Sequence, residues 1–141
     1  MRALVVDDSR AMRTILTRIL RRAGVDEVSE ASDGKDAIAR LDGAALPDFM
    51  LVDWNMPNMN GLELVGALRH HPQWRGITIV MVTTESEQSQ IVRALAAGAH
   101  EYVIKPFEEE SLIEKLAILG FGLQETLADG TEPMGQEAYS P

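Results

Sequence analysis

The 141-residue chain has no cysteine, which rules out a disulfide framework, a thiolate metal site and a thiol nucleophile, and fits a reducing compartment. It also lacks any apolar run long enough to span a membrane, and residues 1–8 are too short in apolar length for a signal peptide. Positive charge is in short supply. With 13 Lys and Arg against 22 Asp and Glu, the formal net charge is −9, which opposes non-specific attraction to DNA, RNA or anionic lipid. No internal repeat is evident. These absences lead us to expect a cytoplasmic protein with no nucleic-acid partner and no membrane insertion.

What is present suits one core: 45% of residues are hydrophobic, enough at this length for a single domain. Met12, Ile15, Leu16, Ile19, Leu20 and Ala23 share one helical face, with Ser9 available as N-cap, Gly24 as a stop and five arginines mostly off the face. A short polar strand over residues 27–31 reads as a sheet edge. Asp33-Gly34 then turns into a helix bearing Ala37, Ile38 and Leu41, and a later helix bears Leu62, Val65 and Leu68. Residues 77–82 form a nearly continuous β-branched and apolar run, as in a strand covered on both faces. A helix over residues 86–97 is expected to bury Ile91, Leu95 and Ala96, and a last helix over 108–119 to bury Leu112, Ile113, Leu116 and Leu119. Five strands alternating with five helices predict an α/β fold with a parallel sheet between helix layers. Residues 1–121 are expected to form this domain, and 122–141, acidic and rich in Gly and Pro, a disordered tail.

The polar residues at the strand ends are more informative. Asp7 and Asp8 follow Leu4-Val5-Val6, Asp53 follows Phe49-Met50-Leu51-Val52, Thr83 follows Val82, and Lys105 follows Tyr102-Val103-Ile104. In an open parallel sheet, ligands bind beyond the carboxyl ends of the strands, so these groups are expected to converge. Carboxylates about 4 Å apart repel by roughly 4 kcal/mol at an effective dielectric near 20, so such a cluster needs protonation or a cation. Oxygen-only ligands suit Mg²⁺, which works beside phosphate. An aspartate next to that ion is a competent nucleophile toward phosphorus, with Lys105 and the Thr83 hydroxyl left to neutralise phosphoryl oxygens.

Val5-Val6-Asp7-Asp8-Ser9, residues 52–61 (Val-Asp-Trp-Asn-Met-Pro-Asn-Met-Asn-Gly), Val82-Thr83, Ala97-Gly98-Ala99 and residues 102–107 (Tyr-Val-Ile-Lys-Pro-Phe) together resemble the receiver domain of two-component response regulators. The likeness runs from about residue 2 to 119 and is strongest to single-domain chemotaxis receivers of the CheY type. It implies a flavodoxin-like fold with strand order 2-1-3-4-5. It further implies Asp53 as phospho-acceptor, with Asp8, Asp53 and the Asn55 main-chain carbonyl as Mg²⁺ ligands and Asp7 acting on the metal through water. Lys105 would pair with the phosphoryl group, and its bond to Pro106 would be cis. Thr83 would be the switch hydroxyl, with Tyr102 rotating inward as it moves. Asn55 and Glu85 match positions that tune hydrolysis of the phosphoryl group.

The partners implied are a histidine kinase or phosphotransfer protein upstream and a protein target downstream, reached through the fourth helix, fifth strand and fifth helix. A monomer or a weak phosphorylation-dependent dimer is expected, acting as a stoichiometric acceptor and not as an enzyme. Thr84 stands where a small alanine is common, and the segment from Glu85 to Gln88 lacks basic residues. Competing readings are an Mg²⁺-dependent phosphatase acting through Asp53, a phosphate sink without an output partner, and an FMN-binding carrier of the same fold. The phosphatase reading calls for an acid two residues past the nucleophile, where this chain has Asn55. The FMN reading calls for hydroxyls and amides where the chain has Asp7 and Asp8. His70, His71 and His100 show no ligand spacing and are expected at the surface. Tyr102 is expected to keep its hydroxyl in water when taken as an ordinary strand aromatic.

Overall fold

In the computed structural model, which describes residues 1–43 and 45–123, strands and helices alternate strictly. They are β1 (Arg2–Val6), α1 (Arg10–Arg22), β2 (Glu27–Ala31), α2 (Gly34–Leu41), β3 (Phe49–Val52), α3 (Gly61–His70), β4 (Thr78–Thr83), α4 (Gln88–Ala97), β5 (Glu101–Ile104) and α5 (Glu109–Ile118). All pairings are parallel and the strand order is β2-β1-β3-β4-β5, as expected. Because β1 and β3 are neighbours in the sheet but not in sequence, the chain reverses direction across the sheet there. That reversal opens a crevice at the carboxyl ends of the central strands.

Side-chain alternation along the strands builds two cores. Leu4, Val6, Met50, Val52, Ile79 and Met81 face α2, α3 and α4, while Ala3, Val5, Phe49, Leu51, Val80 and Val82 face α1 and α5. Burial on both faces is why β3 reads as an unbroken apolar run, whereas β2, at the edge, alternates. Each fully buried Leu, Ile or Val contributes about 1.5–3 kcal/mol relative to exposure.

Local signals place the helices well. Ser9 caps α1 by accepting from the Met12 amide at 3.2 Å, and Gly24, at φ +108°, ends it in a conformation that disfavours a side chain. Asn60 and Glu63 cap α3 reciprocally. Some expected faces shift. Ile15 is 48% exposed, and on α3 Leu64 is buried with Val65 and Leu68 while Leu62 lies half-buried. Helix α4 begins at Gln88, not residue 86. It buries Ala94, flanked by half-buried Ile91 and Ala97, and leaves Leu95 and Ala96 exposed. The small Ala94 lets α4 lie close to α3, so the larger apolar residues are rotated outward. Leu123 is buried in the α1/α5 core, so packing continues to the last described residue; of the expected tail, 124–141 lie outside the described residues.

Candidate functional site

The site forms because the ladders continue past the strand ends. The Asp53 amide donates to the Val6 carbonyl at 2.9 Å, the Asp7 amide to Ala31 at 3.1 Å, and the Lys105 amide to Thr83 at 2.8 Å. Each polar residue is thereby held in register with its neighbour across the sheet. Asp7, Asp53 and Thr83 are buried, while Asp8 is exposed at the rim. One oxygen from each of Asp7, Asp8 and Asp53 lies within 4.8 Å of the others.

Lys105 links the strands furthest apart in sequence. Its Nζ donates to Asp7 Oδ2 at 2.7 Å and lies 3.5 Å from Asp53 Oδ2. Asp7 uses its other oxygen to accept from the Ser9 amide at 2.9 Å. The Lys105–Pro106 peptide bond is cis, as the resemblance implied. Burial pushes the Asp53 carboxyl above the usual range; a hydrogen bond from Thr83 and the charge of Lys105 oppose this, and the charge of Asp7 adds to it.

Among the described residues, Lys105 is the sole cationic side chain paired with any of the three carboxylates. Three acids against one ammonium leave an excess of two negative charges around an oxygen-only donor set open to solvent at Asp8. Those features suit a hard divalent cation.

Around the acids lie the remaining predicted residues. The Asn55 side-chain amide donates to the Glu85 carboxylate, which joins the loop after β3 to the loop after β4. Thr83 Oγ1 accepts from the Glu85 amide at 3.3 Å. Tyr102 corrects one expectation: its ring is buried and its hydroxyl, rather than reaching water, donates to the Glu85 carbonyl at 2.7 Å. Desolvation of that hydroxyl, with the nearby Glu85 and Asp53 charges, raises its pKa. Trp54 is buried beside Asp53, with the Arg93 guanidinium 5.8 Å from its ring centroid.

Several contributors were not singled out from the sequence. Arg13, one of the five arginines placed mostly off the apolar face of α1, donates Nη1 to the Asp7 carbonyl at 2.7 Å and Nε to Glu30 at 3.1 Å, holding the turn that carries both acids. Gly61 has a steric role: a Cβ there would collide with the Asp53 carbonyl, and its amide donates to the Trp54 carbonyl at 2.9 Å. Arg69 gathers the carbonyls of Gly98, Arg75 and Ile77, fixing one end of α4. His100 is exposed but not idle, since its Nδ1 accepts from the Ile79 amide at 3.1 Å. An Asn-Gly pair at residues 60–61 was a visible signal for the tight loop; the two arginines gave none.

Comparison with known proteins agrees with this arrangement. Residues 3–117 match the response regulator receiver domain model. The chain is 43% identical over 119 residues to chemotaxis protein CheY1 of Helicobacter pylori, covering 84% of this chain and 96% of the relative. It is likewise 43% identical over 130 residues to a chemotaxis protein CheY homolog of Campylobacter jejuni, covering 92% and 100%. Among solved structures, chemotaxis response regulator CheY4 of Vibrio cholerae superposes with a TM-score of 0.77 at 36% identity, covering 84% of this chain and 97% of that one. With the family model matched over most of the sequence and relatives 43% identical along nearly their whole length, the chain belongs to the response regulator receiver domain family.

Proposed function

We propose that this receiver is a phosphorylation-activated switch in which Asp53 is the acceptor and the face formed by α4, β5 and α5 signals to a protein partner. The observation that carries the reading is the Lys105 ammonium, bonded to Asp7 and 3.5 Å from the Asp53 carboxylate in a buried acidic cluster. An oxygen of Asp53 attacks phosphorus as the bond from phosphorus to the donor imidazole breaks, and the bonding electron pair returns to that nitrogen. The donor is a phosphohistidine on a histidine kinase or phosphotransfer protein. Lys105 turns from the carboxylates toward a phosphoryl oxygen, and the Thr83 hydroxyl donates to a second. Asp8, Asp53 and the Asn55 carbonyl, with Asp7 acting through water, would hold a Mg²⁺ ion, which would supply neutralisation of the remaining phosphoryl charge.

Thr83 and the Glu85 carbonyl connect the acceptor to Tyr102. In the described conformation Tyr102 is already inward, so phosphorylation would fix this arrangement by drawing on Thr83. Val92, Leu95 and Ile104 are exposed on the α4–β5 side and offer apolar area to a partner. Asn55 and Glu85, bonded across the mouth, govern water access to the phosphoryl group and hence its lifetime. The protein acts stoichiometrically, assisting its own phosphorylation and dephosphorylation, and we place it in the cytoplasm. Among the described residues no helix is long and apolar enough to cross a membrane.

The test is labelling with acetyl phosphate or a phosphorylated kinase. We expect Mg²⁺-dependent incorporation that is lost in Asp53→Asn and largely lost in Asp8→Ala. Robust labelling of Asp53→Asn would refute the assignment.

A further inference from the structure

We propose that Asp33 and Asn58 form a latch that holds the loop after β3 in its metal-binding shape, making both of them positioning residues for the cation site. The inference rests on the Mg²⁺ reading above. The loop over residues 54–60 has no regular structure, yet it carries Asn55, whose carbonyl that reading assigns to the metal.

Among the described residues this loop is tied to the neighbouring loops on two sides. On one side is the exposed bond from Asn55 to Glu85. On the other are two ties to the start of α2: in a part-buried bond Asn58 Nδ2 donates to Asp33 Oδ2 at 2.7 Å, and the Gly34 amide donates to the Met59 carbonyl at 3.1 Å. The surfaces also interlock, because a Cβ on Gly34 would strike the Met59 side chain.

Asn58 is the sole non-glycine residue with positive φ among the described residues, at 65°. That conformation is disfavoured for an ordinary L-residue, and here it coincides with a hydrogen bond to an ionised carboxylate, the stronger class of bond. Asp33 divides its oxygens between two tasks. Oδ1 caps α2 by accepting from the Asp36 amide at 2.7 Å, while Oδ2 takes Asn58. Both bonds hold its carboxyl below the usual range, the Asp36 amide first.

This division separates latch from scaffold. Asp33→Ser keeps a side-chain oxygen for the cap but is too short for the bond to Asn58. Asn58→Gly keeps the positive φ and removes the other partner. Mg²⁺ is titrated into the wild type, each variant and the double variant, following the Trp54 amide by NMR, with thermal unfolding measured metal-free.

We expect the Mg²⁺ midpoint to rise about threefold or more in both variants, since groups that orient metal ligands commonly matter tenfold or more. Unfolding should change little, and the double variant should be no weaker than the weaker single, because one bond is lost in all three. Midpoints equal to that of a wild type that does bind Mg²⁺ overturn the latch alone. A wild type that takes up no Mg²⁺ overturns both readings. Should one variant fail to fold, the other decides.

Discussion

Replacing Asp53 with asparagine removes a charge from a site whose own electrostatics oppose it, so the proposed acceptor should weaken the fold that presents it. At an effective dielectric near 20, a carboxylate within 4.8 Å repels Asp53 by about 3.5 kcal/mol or more, and Lys105 at 3.5 Å attracts it by about 4.7 kcal/mol. Asp7 counts fully because it is buried; exposed Asp8 is screened and counts for about half. Attraction and repulsion then nearly cancel, and burial decides, in agreement with the upward displacement of the Asp53 pKa. With Asp8 at half weight the repulsion exceeds the attraction by about 0.5 kcal/mol or more, and burial of the charge adds to that cost.

Asp53→Asn in EDTA at neutral pH should therefore stabilise the protein by about 1–2 kcal/mol, or about 4–8 °C at this chain length. Lys105 keeps its bond to Asp7 and is not orphaned. The sign with pH follows from linkage. Between the unfolded carboxylate pKa near 4 and the raised folded value, the native state binds more protons, so stability falls as pH rises through that window. The advantage of asparagine is full above it and vanishes below about pH 4. Mg²⁺ should narrow the gap by stabilising the wild type more than the variant. Urea unfolding at pH 7.5 and pH 4, with and without Mg²⁺, measures all of this. An Asp53→Asn protein no more stable than wild type in EDTA would refute the charge accounting.

Two further substitutions probe the frame. Gly61→Ala forces a methyl group against the Asp53 carbonyl, which is backbone and cannot yield, so it should cost about 1–3 kcal/mol in urea unfolding and slow acetyl phosphate labelling; an unchanged midpoint would contradict the close approach. Arg69→Met leaves the carbonyls of Gly98, Arg75 and Ile77 without their donor and should cost about 1–3 kcal/mol. Hydrogen exchange should rise first at the end of α4 and the start of β4, and a uniform rise across the sheet would argue against a local clamp.

The parallel sheet and the gathering of Asp7, Asp8, Asp53, Thr83 and Lys105 were legible because both follow from short-range pattern: apolar runs of strand length, each ending in a polar group. Helix α4 was not. Two of its three large apolar residues, Val92 and Leu95, are exposed, since the seam with α3 selects the small Ala94, and apolarity alone cannot separate a surface for a partner from a core. Tyr102 was misplaced in one respect because the acceptor of its hydroxyl is a main-chain carbonyl 17 residues away, which side-chain chemistry does not announce. Arg13 and Arg69 stayed hidden for the same reason. Each reads as one more surface arginine until the fold brings carbonyl groups to its guanidinium. Asp33 was visible as a turn former and Asn58 only as part of the motif after β3, but their mutual bond spans 25 residues and two loops.

The bond between Lys105 and Asp7 joins positions 98 residues apart, so it forms only when the last strand docks. A chain still leaving the ribosome carries Asp53 long before it carries the ammonium group beside it. On the proposed reading, competence to accept a phosphoryl group therefore waits until β5 has been made and docked, and a copy that lacks β5 stays silent instead of competing for the donor.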